Sequence, residues 1–329
     1  MNNVVLLADP NSKAWGFAKK IQDYIQKEKE AFIPLKEVSV DFFRNGEINL
    51  HVPENVRKRD VYFVHDSSKN PQQWWVELIL LKDLLLRASA ESVTFVLPDM
   101  FYSRQDRKDK PHVPISAKAL ANSISSHGLK RVITMDLHAP QIQGFYNEDI
   151  PLDNLYSFPA VVKHLLTINY DRESLRNLTI VSPDAGGVDR AKAFAQRLGS
   201  KDPIAFIQKR RVKAGEISEM LLVGNVMDKD VLIVDDLIDS GGTLVNAAKL
   251  LREKGARKIW CYGTHGIFTK GIGELCASFE KVMTSNTHPQ EIDGVEVIDV
   301  SPVFAEAIYR AQVGESISSL FKLADNNLE

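Results

Sequence analysis

Short runs of β-branched and aliphatic residues alternate with helical patterns along almost the whole chain, and nothing else in the sequence constrains the fold as strongly. The spacing predicts strands at Val4–Leu7, Val61–Val64, Val93–Leu97, Val132–Met135, Thr179–Val181, Ile204–Ile207, Val231–Val234 and Ile259–Gly263. Between them, the helical apolar period predicts helices over Ala14–Lys27, Gln73–Ala88, Ser116–His127, Gly187–Leu198 and Gly242–Lys254. Apolar strands that alternate with helices call for mostly parallel sheets flanked by helices, the α/β class. The 329 residues suffice for two such domains. The halves share the alternation without a clear sequence repeat, and Pro151 interrupts the pattern within Ile150–Asp153. Ligands of open α/β sheets collect at the carboxyl ends of the strands. Residues after Leu97, at Met135, after Val181 and after Val234 are therefore the ones placed to touch a ligand.

The segment Val231 to Thr243, VLIVDDLIDSGGT, falls at one of those ends. A buried-strand run leads to two adjacent carboxylates, Asp235 and Asp236, expected where the strand stops. Asp239, Ser240, Gly241, Gly242 and Thr243 then make a small polar turn before a helix carrying Leu244, Ala247, Ala248 and Leu251. A strand, a tight turn and a helix N-terminus form an anion site, because free backbone N–H groups and the helix dipole point at whatever lies over the turn. Glycines admit a phosphate close to the backbone, and the Ser and Thr hydroxyls add donors. The aspartates suit ribose hydroxyls, directly or through a metal. No Lys follows the glycines, so the turn is not a Walker loop. An ordinary capped strand–helix connection is the plain reading, but the acidic pair joined to DSGGT favours a sugar-phosphate site. The segment resembles the phosphoribosyl pyrophosphate motif of the type I phosphoribosyltransferase fold.

Three further groups sit at strand ends. Arg104, Gln105, Arg107 and Lys108, in SRQDRK, offer planar forks for polyphosphate and an amide for a base edge, or else form a solvated loop. His138, in Asp136-Leu137-His138, and Asp184, in SPDAGG, could position magnesium; alone, His138 would read as structural. Lys209, Arg210 and Arg211, with Lys213 and a small-residue stretch Ala214–Ser218, fit a mobile basic loop able to cover a transferring phosphoryl group, or a solvated charge run.

A chain that is 44% hydrophobic and 26% charged with net charge −2 gives no general argument for binding nucleic acid or membrane. Two cysteines, Cys261 and Cys276, without metal-like spacing suit a reducing compartment. The start MNNVVLLADP is too short in its apolar run for a signal peptide, and no segment approaches a membrane span, so a cytoplasmic protein is expected.

SRQDRK, VPISAKALA, TMDLHAPQIQGF, IPLDNLY, VSPDAGG, KRR and VDDLIDSGGT follow one another as they do in ribose-phosphate pyrophosphokinases, and the chain resembles that family from about Phe43 to the GESISSLF near its end. Phosphoribosyltransferases share only the last of these motifs. The resemblance implies two tandem type I phosphoribosyltransferase-like domains, 1–152 with a C-terminal return of 313–329, and 153–312. It implies transfer of the diphosphoryl group of Mg-ATP to the 1-hydroxyl of ribose 5-phosphate, releasing AMP. Arg104, Gln105 and Arg107 would bind ATP, with Phe43, Asn45 and Glu47 of FRNGE contacting adenine from a neighbouring subunit. His138 and Asp184 would be the Mg2+ positions, and Lys209 and Arg211 the catalytic cations. Asp239, Ser240, Gly241, Gly242 and Thr243 would hold the 5-phosphate, and Asp235 and Asp236 would face the ribose hydroxyls. The resemblance further implies a homo-oligomer, with a dimer as the minimal unit and a hexamer as the larger assembly, and ADP and inorganic phosphate as effectors. Departures from the family pattern are Asn45 for the usual Asp, the stretch Asp99–Tyr102, Asp109–His112, Val212 and PNSKAWGFA. The alternative is a non-catalytic homologue that regulates a true synthetase. Such homologues have altered catalytic segments, whereas His138, Asp184, Lys209, Arg211 and DSGGT are all present here.

Overall fold

The structure of the protein, a computed structural model, describes residues 1, 3–125, 128–167, 172–210, 219–288 and 291–322. These residues fold into two units. The N-terminal unit contains Met1–Tyr156 together with Thr287, His288 and Val300–Lys322; the C-terminal unit contains Ser157–Asn286 and residues 291–299.

The N-terminal unit opens with β1 (Val4–Ala8), α1 (Ala14–Lys29), β2 (Leu35–Glu37), β3 (Ser39–Phe42) and β4 (Ile48–His51). It continues with β5 (Asp60–Val64), α2 (Pro71–Arg87), β6 (Ser92–Leu97), α3 (Ser116–Ile124), β7 (Leu129–Met135) and β8 (Leu152–Leu155). The sequence VVLLA leaves β1 no polar face, so it is buried throughout and sits inside the sheet. The order is β2-β1-β5-β6-β7-β8, every pair parallel, while β3 and β4 form a separate antiparallel hairpin. Helix α1 buries Phe17, Ala18, Ile21 and Ile25, one face at helical spacing.

The C-terminal unit comprises α4 (Phe158–Thr167), α5 (Arg172–Arg176), β9 (Thr179–Ser182), α6 (Val188–Leu198), β10 (Ala205–Arg210), β11 (Glu219–Val223) and β12 (Val231–Ile238). After these come α7 (Gly242–Glu253), β13 (Ile259–Gly266), α8 (Gly273–Ser278), β14 (Lys281–Ser285) and β15 (Val295–Ile298). Its order is β11-β10-β9-β12-β13-β14-β15, parallel except for β10 against β11. A last helix, α9 (Ser301–Val313), belongs to the N-terminal unit and packs on α1, with Phe304 edge-on to Phe17 at 5.4 Å.

With the β3–β4 hairpin and β11 set aside, the two sheets have one topology. In each, the first strand pairs with the second on one side and the third on the other, and the remaining strands follow in chain order. The chain therefore reverses direction across the sheet between β1 and β5, and again between β9 and β12. At such a reversal the connections leave on opposite faces and open a crevice at the strands' carboxyl ends.

The fold is the expected α/β class with mostly parallel sheets flanked by helices. The central strands and main helices stand near their expected places, and three boundaries differ instructively. Helix α2 starts at Pro71, two residues early, because Asn70 caps it and proline suits the first helical position. Helix α3 ends at Ile124, with Ser125 as its C-cap. Strand β12 continues four residues beyond Val234, because Leu237 and Ile238 keep the ladder to His265 and Gly266 of β13. No helix among the described residues is long and apolar enough to cross a membrane.

Candidate active site

The longer β12 moves the acidic pair from the strand's end into its body. On one side β12 stays paired with β13 through Ile238; on the other, pairing to β9 stops at Ile233. Asp235 and Asp236 thus line the open side of the crevice. The close approach of the ladder depends on Gly263, where a Cβ would lie 2.3 Å from Ile238 Cγ1.

Beyond β12 the turn runs through Asp239 and Ser240 to Gly241, the N-cap of α7, which has φ 75° and supplies no side-chain cap. A left-handed φ excludes most residues, and a Cβ here would also lie 2.9 Å from Leu275 Cδ1. Asp239 is held from behind: its Oδ1 accepts from Thr269 Oγ1 at 2.7 Å and its carbonyl from Thr269 N at 3.0 Å. The N-cap of α7 thus carries no side chain of its own, and the first turn of the helix lies at the carboxyl end of β12, where a phosphate can bind.

Asp184 follows β9 and braces the turn before α6: its Oδ1 accepts from Gly186 N at 2.9 Å and Gly187 N at 3.0 Å. Arg190, in the first turn of α6, reaches Asp236 Oδ1 at 3.1 Å and Asp235 Oδ1 at 3.6 Å. Asp236 N donates to Asp235 Oδ1 at 2.9 Å. Burial holds the Asp235 carboxyl well above the usual range, the neighbouring Asp236 charge adds to this, Arg190 opposes it, and the Asp184 charge raises it further. The C-terminal unit therefore brings Asp184, Asp235, Asp236 and Asp239–Thr243 together at one crevice.

The N-terminal unit uses the same topological position differently. The turn after β5 runs into α2, whose mouth is closed: Asn70 Oδ1 accepts from Gln72 N at 3.0 Å, and Pro71 has no N–H. Lys69 Nζ lies 3.1 Å from Asp9 Oδ2 and 2.9 Å from Glu77 Oε2. Asp66 Oδ1 accepts from Ser68 N and Oγ, both at 2.7 Å, and Asp66 Oδ2 from Lys13 N at 2.9 Å. This crevice is filled by its own side chains.

Arg104, Gln105 and Arg107 lie on the exposed loop after β6. Gln105 ties the loop to α3: its Oε1 accepts from Ser116 Oγ at 2.6 Å and its carbonyl from Ala117 N at 3.2 Å. Gln141 Nε2 donates to Asp106 Oδ2 at 2.7 Å, which joins this loop to the turn carrying His138. His138 is exposed beyond β7, where Asp136 has φ 42° and Asn154 Oδ1 accepts from Leu137 N at 3.0 Å. Phe43, Asn45 and Glu47 form the tip of the β3–β4 hairpin. Phe43 is 55% exposed, Gly46 has φ 87°, and Asn45 Oδ1 accepts from Glu47 N at 3.2 Å. Lys209 belongs to β10, opposite Met220 of β11, while Arg211, Lys213 and 214–218 lie outside the described residues.

The comparisons with known proteins cover both units. A model of the N-terminal domain of ribose phosphate pyrophosphokinase matches residues 11–128, and one of a phosphoribosyl synthetase-associated domain matches 210–322. A ribose-phosphate pyrophosphokinase of Campylobacter jejuni is 40% identical over 309 residues, 93% of this chain and 95% of that protein. The chain belongs to the ribose-phosphate pyrophosphokinase family. A further member, from Rhizobium meliloti, is 43% identical over 88% of this chain and 93% of its own. The crystal structure of phosphoribosylpyrophosphate synthetase from Mycobacterium smegmatis matches with a TM-score of 0.81 at 30% identity, over 95% of this chain and 99% of that one. Family membership thus rests on the whole length, not on the DSGGT segment alone.

Sequence reasoning missed Arg190, Ser116 and Asn154. Arg190 carried a signal: a cation in the first turn opposes the helix dipole and needs a nearby anion. Ser116 and Asn154 act on backbone or amide groups distant in sequence, which no local pattern reveals.

Proposed function

We propose that this chain synthesises 5-phosphoribosyl 1-pyrophosphate from ATP and ribose 5-phosphate, releasing AMP. The single observation that carries the reading is the N-terminus of α7, with Gly241 at its N-cap, beside the acidic pair at the topological crevice of the C-terminal unit. A phosphate over Gly241–Thr243 and a sugar against two carboxylates is the recognition that ribose 5-phosphate requires. The relatives' names support the same reaction.

In this reading Asp239, Ser240, Gly241, Gly242 and Thr243 hold the 5-phosphate, and Asp235 and Asp236 orient the ribose hydroxyls. Arg104, Gln105 and Arg107 bind the ATP phosphates and base, and Phe43, Asn45 and Glu47 meet adenine in a neighbouring subunit. The ribose 1-oxygen attacks the β-phosphorus as the bond from that phosphorus to the oxygen of the α-phosphate breaks. The 1-hydroxyl proton leaves, and AMP departs with the bridging oxygen. Such a transfer needs positioning and charge neutralisation more than covalent help. Lys209 and Arg211 supply cations to the transferring group.

Asp184 brings a hard carboxylate oxygen to the end of β9, a donor that suits Mg2+. His138 and Asp184 are assigned to hold it, and it would neutralise charge on the phosphate oxygens. Also proposed are a homo-oligomer, control by ADP and inorganic phosphate, and a cytoplasmic location.

The test is incubation of the purified chain with Mg2+, ATP and ribose 5-phosphate, with and without inorganic phosphate. AMP and phosphoribosyl pyrophosphate are expected in equal amounts. ATP binding without either product would assign the chain to the regulatory homologues instead.

A further inference from the structure

Arg190 is placed against the ordinary preference of a helix. It is the third residue of α6, where the dipole disfavours a cation. Its neighbour Asp189 is 96% exposed and pairs with Lys192 on the solvent side. The Arg190 side chain instead is only 17% exposed and turns inward to the acidic pair of β12. Gly187 at the N-cap keeps this corner open: a Cβ there would lie 2.6 Å from Ser182 Oγ and 3.7 Å from Arg190 Nη1.

Asp235 and Asp236 are adjacent on one strand, so their side chains would ordinarily diverge to opposite faces. Here both Oδ1 atoms meet Arg190 Nη1, at 3.6 and 3.1 Å, and Asp236 N closes onto Asp235 Oδ1. One guanidinium thus gathers two carboxylates that repel each other, at the edge where β9 has stopped pairing. A planar, permanently charged group can hold two oxygen acceptors in fixed directions, which a point charge on a flexible stem does less well.

Resting on the ribose 5-phosphate reading, we propose that Arg190 is a positioning residue for that substrate. It orients Asp235 and Asp236 toward the sugar hydroxyls and keeps them in place while the crevice is empty. Both of these carboxylates are assigned to the sugar, and neither to ATP. The effect of Arg190 therefore belongs to sugar binding and not to nucleotide binding.

The experiment is calorimetric titration of the full chain with ribose 5-phosphate alone and, separately, with Mg-ATP, for wild type, Arg190→Met and Arg190→Lys. Thermal melting of each variant runs alongside. Arg190→Met is expected to weaken ribose 5-phosphate binding by roughly tenfold or more, since small misplacements of orienting groups are costly. Its ATP affinity is expected to stay within about twofold of wild type, with Arg190→Lys intermediate for the sugar phosphate. Unchanged ribose 5-phosphate binding in folded Arg190→Met, or equal losses for both ligands, overturns the inference while the functional reading stands. Wild type that binds no ribose 5-phosphate overturns both. Should Arg190→Met fail to fold, Arg190→Lys decides alone: weakened sugar-phosphate binding with unchanged ATP binding supports the assignment, and unchanged sugar-phosphate binding overturns it.

Discussion

Replacing Gly241 by alanine probes whether the phosphate mouth is set by the backbone before any ligand arrives. Two costs add. At φ 75° an L-residue carries a left-handed penalty of roughly 1 kcal/mol. The new Cβ would also stand 2.9 Å from Leu275 Cδ1 and Cγ and 3.1 Å from Cδ2, so the whole head of that side chain is in the way. Leu275 is 1% exposed and cannot swing into solvent, and overpacking of this kind costs about 1–3 kcal/mol. The sum is a destabilisation of about 2–4 kcal/mol. Gly242 provides the internal control. Its Cβ would meet nothing nearer than Ser240 Oγ at 3.9 Å, and alanine there gains roughly 0.4–1 kcal/mol from a stiffer unfolded chain. Two identical substitutions one residue apart should therefore differ by about 2–5 kcal/mol in urea unfolding followed by circular dichroism. Equal midpoints would show that neither the dihedral nor the Leu275 contact fixes the turn, and the argument for a preset mouth would fail.

Other expectations follow from the charged groups. Lys209→Ala should lower turnover on the order of 10²-fold or more with ATP binding little changed; turnover within a few-fold of wild type would remove Lys209 from the reaction. Lys69→Met strands the buried Glu77, whose carboxyl burial raises and Lys69 lowers, and should cost about 3–5 kcal/mol in unfolding free energy. Adding Glu77→Gln should recover part of that loss, and no recovery would count against the pair. Burial, helped by the charge of Lys69, pushes His65 down from 6.5 to about 3. Its Nδ1 accepts from Asp66 N at 3.0 Å, so the folded state holds it neutral while the unfolded chain takes up a proton below 6.5. The share of His65 in the stability is thus full above that value and falls as pH drops toward 3, by roughly 1.4 kcal/mol per unit, so His65→Gln should lower the acid slope by about that amount in parallel urea titrations.

The central strands were legible because burial on both faces leaves an uninterrupted apolar run, as in β1 and the first half of β12. The edge strands were not. Leu35–Glu37 and Val295–Ile298 are short and half-exposed, so their composition resembles loop. The hairpin β3–β4 alternates weakly around exposed Phe42 and Phe43. Asp235 and Asp236 were readable as site residues but misplaced at a strand end, since carboxylates rarely continue a buried strand unless a gap in the sheet receives them. DSGGT stood out because glycine geometry is a local property. The partners of that site are not local: Arg190 meets Asp236 across 46 residues, and only the folded sheet brings them into register. The membership of α9 in the N-terminal unit is likewise a long-range matter, carried by Phe304 against Phe17.

The chain writes one strand order twice, and with it two helix mouths at which an anion could settle. Asn70, Pro71 and Lys69 close the first with the protein's own amide, ring and ammonium, whereas the second has Gly241, which carries no side chain, at its N-cap. The consequence is a matter of counting. A duplicated scaffold ought to take two equivalents of sugar phosphate, and this one is built to take one. A titration should therefore saturate at a single equivalent per chain, the ammonium at the first mouth being already matched by Asp9 and Glu77.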